Sequence, residues 1–213
     1  MTKWRALGTY VGLVLLGALL VAGIDIALAE VELRWAAWLI DVAFAIGVVV
    51  ATWGAFGAGS PIFGRVIDGS PTQEPVIALT FDDGPSPDVT PRVLDALRDA
   101  GARATFFVLG KHAARHPELV ERMVREGHEV ATHGYDHGIL LFAGRRAIHE
   151  QLLRTDLVLR RAGAPPVRSF RVPHGYRNPF VGTVARNLGL DVAGWSKGVF
   201  DTAKPGPDAN GLS

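Results

Sequence analysis

Two long apolar runs at the start of the chain constrain it more than any other feature. Leu7 to Ala29 and Trp35 to Gly57 each reach the roughly 20 residues that a helix needs to cross a hydrocarbon core. Glu30 to Arg34 form a polar turn between them. Positions 1–60 carry only Lys3, Arg5 and Arg34 against Asp25, Glu30, Glu32 and Asp41, whereas the rest of the chain holds 19 basic and 17 acidic residues. Two solvents are implied: a bilayer for residues 1–60 and water for a unit spanning 76–213, joined by a turn-rich linker over 61–75. Trp4, Trp35, Trp38 and Trp53 fall near the ends of the runs, where indole rings favour the headgroup layer.

A cleaved secretory signal is the rival reading, because Lys3 and Arg5 precede an apolar run that ends in Ala27-Leu28-Ala29. The length of that run and Asp25 inside it favour two membrane helices. Counting Lys and Arg puts the large C-terminal unit on the same side as the N-terminus, a thin asymmetry that leaves sidedness open.

The net charge of +1 gives no basic excess with which to displace counterions from a phosphate backbone, so no nucleic-acid partner is expected. The chain has no cysteine. Disulfides and a thiolate nucleophile are therefore excluded, and any metal must be held by imidazole and carboxylate.

Beyond the linker the pattern alternates. Val76–Phe81, Ala104–Leu109, His128–Thr132, Val167–Val172 and Leu190–Ser196 read as strands, the first as a run covered on both faces. Between them lie a helix capped by Thr90 with Pro91 first and Gly101 as its stop, then helices over Pro117–Glu126, Arg145–Ala162 and Pro179–Asn187. Regular βα alternation predicts a parallel sheet or barrel with its active groups at the C-terminal ends of the strands.

Three constellations fall at those ends: Thr80-Phe81-Asp82-Asp83-Gly84-Pro85, His133-Gly134-Tyr135-Asp136-His137, and Phe170-Arg171-Val172-Pro173-His174-Gly175. Asp-Asp-Gly-Pro alone is ordinarily a turn, and a lone His-x3-His ordinarily a solvated helix face. Their coincidence on consecutive strands, with an arginine at the next, points to a site. Two histidines four apart share one side if the segment is helical; with one carboxylate they make three ligands and leave a position for water. The adjacent acid remains available as a base. His112, His116, His128 and His149 default to surface or supporting positions, and Trp195 to packing or a site wall.

These motifs resemble the polysaccharide deacetylases with a NodB homology domain, carbohydrate esterase family 4, over about residues 76–203. Thr80 to Gly84 match T-F-D-D-G, which implies Asp82 as general base and Asp83 as a metal ligand. His133 and His137 match H-[ST]-x-x-H as the other ligands, with Gly134 in the usual hydroxyl position. Arg171 and Pro173 match R-x-P-Y, with His174 in place of the aromatic residue. The resemblance implies that Arg171 orients the base and that the main-chain N–H of His174 helps to hold the oxyanion. A looser match after Trp195 nominates Asp201. The family's last motif, a Leu-x-His whose histidine protonates the departing amine, has no counterpart; His174 is the substitute acid.

The resemblance implies an α/β fold, a distorted (β/α)7 barrel, here preceded by two transmembrane helices. Only five strands are legible, so the expectation is a C-terminally shortened barrel. The implied cofactor is a divalent metal, zinc first, with cobalt, nickel or manganese as alternatives. The implied activity is hydrolysis of an N-acyl group, foremost acetyl, from an amino sugar of a cell-envelope polysaccharide. Two alternatives stand beside it: deacylation of a lipid-linked sugar at the cytoplasmic face, and an inactive homologue that only binds carbohydrate.

Overall fold

The computed structural model describes residues 3–30, 34–57, 59–69 and 76–196. Helices α1 (Lys3–Glu30) and α2 (Arg34–Phe56) form a pair. Within them Trp4–Ala29 and Trp35–Phe56, with mean hydropathies of 2.5 and 2.0, are long and apolar enough to cross a membrane. Side chains such as Leu19, Ile26, Trp38 and Val49 point outward rather than into a core. Tyr10 and Thr52 share a hydrogen bond across the pair, and the Thr52 hydroxyl also donates to the Val48 carbonyl.

The remainder is a sheet of five parallel strands in the order of the chain: β1 (Leu79–Asp82), β2 (Ala104–Val108), β3 (Glu129–Thr132), β4 (Ser169–Arg171) and β5 (Asp191–Ala193). The connecting helices are α3 (Thr90–Asp99), the short α4 (Gly110–Ala113), α5 (Pro117–Arg125), α6 (Arg145–Arg161) and α7 (Pro179–Asn187). Each longer helix turns a 3.6-residue stripe to the sheet. On α6 that stripe is Ile148, Leu152, Thr155 and Leu159, all buried, and it meets Leu94, Met123, Val120, Phe170 and Val181 in one core.

Several local expectations change; β4 and β5, for instance, are shorter than Val167–Val172 and Leu190–Ser196. The first strand begins at Leu79 rather than Val76, and Val76 and Ile77 are exposed. Among the described residues β1 is an edge that pairs only with β2, so nothing recruits 76–78 into the ladder. Helix α3 takes its N-cap from Val89; the Thr90 hydroxyl instead accepts the Ser86 N–H at 2.9 Å, tightening the turn after β1. The segment His133–His137 is a turn, not a helix.

Residues 61–69 lie on the body. The Ile67 N–H donates to Val192 O and the Gly194 N–H to Ile67 O, both at 2.8 Å, so Ile67 pairs with the free side of β5. Gly64 passes against Gly182 of α7. Arg177, 3% exposed, donates to the carbonyls of Gly57 and Ser60, while its main-chain N–H donates to Ala55 O. A cation at the C-terminal end of α2 also meets the negative pole of that helix.

Candidate active site

Because all five strands run the same way, Asp82, His133 and Arg171 arrive at one rim, at or just beyond the ends of β1, β3 and β4. Asp83 follows with φ +68° before a cis Gly84–Pro85 peptide. The turn after β3 is shaped by its own residues: Gly134 adopts φ +81° and donates to Thr132 Oγ1, and Gln151 of α6 accepts the Tyr135 N–H and donates to Asp136. This turn, rather than a helical face, brings His137 back towards His133.

His137 Nε2 lies 3.2 Å and His133 Nε2 3.6 Å from Asp83 Oδ1, and the three ligand atoms all lie within 4.8 Å of one another. His133 Nδ1 is 2.7 Å from the Arg171 carbonyl, which can only accept. Nδ1 therefore carries the proton and Nε2 turns its lone pair towards Asp83. Burial pushes the pKa of His133 below the usual histidine value against the pull of Asp82 and Asp83, and burial does the same to His137. Neutral imidazoles beside an acid are the donor set that a divalent cation of the zinc type takes, so the residues present fit a metal.

Asp82 is not part of that triangle. Its Oδ1 accepts from Arg171 Nη1 at 2.8 Å, and the same nitrogen donates to Thr80 Oγ1 at 2.8 Å. Arg171 Nη2 donates to the Gly194 carbonyl, and the guanidinium lies over the Phe107 ring, 4.0 Å from its centroid. Arg171 is 5% exposed, so it holds the acid in one orientation while Asp82 stays open to solvent and reachable.

His174, at φ +60° in the turn after β4, sets its ring against His137 with 4.2 Å between centroids. His112 is a supporting residue whose role the sequence left open: its Nδ1 donates to the Asp83 carbonyl at 2.8 Å. Its short helix follows β2 directly, the only signal that could have placed it at the rim. Trp195 walls the site, 5.1 Å from the Arg171 guanidinium. Asp201 lies outside the described residues.

The sequence model of the family described as polysaccharide deacetylase matches residues 69–193. The chain belongs to that family. As a polysaccharide deacetylase it is 42% identical over 146 residues to a chitooligosaccharide deacetylase of Sinorhizobium fredii, covering 68% of both chains. It is 43% identical over 121 residues to the peptidoglycan-N-acetylglucosamine deacetylase PgdA of Listeria monocytogenes, covering 56% of this chain and 25% of that one. Among solved structures, a family 4 carbohydrate esterase from Streptomyces lividans in complex with acetate superposes with a TM-score of 0.53 at 38% identity, over 55% of this chain and 60% of that one. The chain therefore spans between 25% and 68% of the length of these relatives, and its five described strands are part of a NodB-type barrel.

Proposed function

We propose that the chain removes an N-acetyl group from an amino sugar of a cell-envelope polysaccharide, held at the membrane by α1 and α2. The observation that carries this reading is the pairing of two adjacent acids in different roles: Asp83 against the two histidines, and Asp82 against Arg171. The relatives' substrates, chitooligosaccharide and peptidoglycan N-acetylglucosamine, support the amino sugar.

Asp83, His133 and His137 would hold the cation, zinc first, with cobalt, nickel or manganese as alternatives. When bound, such a cation supplies Lewis acidity to the acyl carbonyl and acidity to water. The chain's own residues do the rest. Asp82, oriented by Arg171, takes the proton of the attacking water. The main-chain N–H of His174 is the oxyanion donor. The His174 ring returns a proton to the leaving amine, with Asp201 assigned a part only by the family motif.

The exposed apolar faces of α1 and α2 support membrane insertion. The docking of the α2 end onto Arg177 supports α2 as a built-in part of the protein, whether or not the chain is cut after Ala29. A second reading, deacylation of a lipid-linked sugar, is favoured by the contact of Phe56 at the end of α2 with Tyr176, two residues beyond His174 (ring centroids 5.0 Å apart). A reporter fused at the C-terminus separates the two by the side on which it is active.

Acetate release from N-acetylated chitooligosaccharides by the full chain in detergent, with bound metal measured alongside, tests the proposal. Asp82→Asn is expected to lower turnover by about 10² to 10⁴ with metal retained, and His133→Ala to lose metal and activity together. Bound metal without any acetate release would overturn the reading in favour of a carbohydrate-binding protein.

A further inference from the structure

We infer that the cavity between the end of α2 and the rim of β5 is the acyl pocket of this site, that it admits chains longer than acetyl, and that Phe56 sets their length. The inference rests on the deacylase reading above. The cavity measures about 160 Å³ and is walled by Phe56, Val66, Val172, Val192 and Trp195, with His174 at its edge. His174 makes the connection to chemistry: it lines the cavity while its ring packs against that of His137, which sets the cavity one side chain away from the Asp83–His133–His137 triangle and within reach of an acyl chain held there.

The walls select the occupant. The guanidinium that lines the cavity, that of Arg177, is already engaged by the carbonyls of Gly57 and Ser60. Sugar hydroxyls brought in would lose water and find few partners, which disfavours a pyranose. An alkyl chain loses nothing by leaving water. An apolar cavity of about 150 Å³ accommodates benzene, so this one exceeds an acetyl methyl by several carbons.

Phe56 is the wall that decides length. It belongs to α2 rather than to the sheet, and its ring is gripped edge-on by Tyr10 and Tyr176 at 5.1 and 5.0 Å between centroids. The helix that reads as an anchor thus contributes to the selection of substrate.

The test compares kcat/KM of the full chain in detergent on chitotrioses carrying N-acetyl, N-butyryl or N-hexanoyl groups. Butyryl and hexanoyl substrates are expected to match or exceed acetyl. Phe56→Trp, which fills the cavity, is expected to lower the hexanoyl-to-acetyl ratio at least tenfold, and Phe56→Ala to raise it. A wild-type preference for acetyl of tenfold or more, with a ratio that Phe56→Trp leaves unmoved, overturns the pocket while leaving the deacylase reading intact. Hydrolysis of none of the three overturns that reading instead. The pocket is then read by calorimetric binding of hexanoate to metal-free protein: weakening by Phe56→Trp supports it, and equal binding by both proteins overturns it.

Discussion

Asp83, His137 and His174 are the three described non-glycine residues with positive φ, at +68°, +62° and +60°, and all three belong to the candidate site. A backbone held in that region costs each of them on the order of 1 to 3 kcal/mol, so the surrounding turns, not local preference, fix their directions. His128 shows the opposite case, a histidine used for packing. It is 8% exposed, accepts the Ala104 N–H through Nδ1, and stands edge-on to Phe106. Burial pushes its pKa below the ordinary value; Arg103 and Arg122 add to that shift and Glu126 opposes it. The unfolded chain therefore takes up a proton near pH 6.5 that the folded chain takes up only at lower pH. Its contribution to stability is complete above that value and is lost as pH falls from there towards the folded pKa. Denaturant midpoints measured from pH 7.5 down to 5 should fall less in His128→Asn than in the parent; parallel curves would contradict this.

At the scale of elements, one side chain joins α7 to the turn before α6. Asn178 Oδ1 accepts the N–H groups of Phe180 and Val181, and its Nδ2 faces the carbonyls of Leu140, Leu141 and Ala143 at 2.8 to 3.2 Å. Asn178→Ala removes a helix cap and leaves buried carbonyls unpaired, a loss of about 2 to 3 kcal/mol that equilibrium denaturation would show. Helix α7 itself was legible over its full extent from Pro179 and its apolar spacing, but the long reach of Asn178 was not, because its partners lie some 35 residues away. The same division runs through the site. Asp82, Asp83, His133, His137 and Arg171 stand out by type and by position at strand ends. The turn that folds His137 back depends on Gln151 and Thr132, which no spacing rule singles out; a helix was one way to bring the two histidines together, and a turn does it instead. The first strand was read three residues early because an apolar run says nothing about whether a partner strand exists beside it.

In the whole molecule the N-terminal helix pair and the body are one assembly. Arg177 holds the end of α2, Ile67 pairs along β5, and Gly64 meets Gly182 so closely that a Cβ on Gly182 would lie 2.9 Å from the Gly64 Cα and collide with the Phe63 carbonyl. Gly182→Ala is expected to push residues 61–67 off the body. Hydrogen exchange should report it as faster exchange at the Ile67 and Gly194 amides, with protection of the α6 core unchanged; full protection at both amides would refute the strap.

The bridge between Ile67 and Ala193 also sets an order of events. Helices α1 and α2 leave the ribosome long before β5 is made, and closing so distant a pair carries the entropy of the whole intervening loop. Until then the last carbonyls of α2 lack Arg177 as a partner, and Phe56 has no cavity to wall. The helix pair thus exists before its docking surface does, and the pocket comes into being only when the two ends of the body meet.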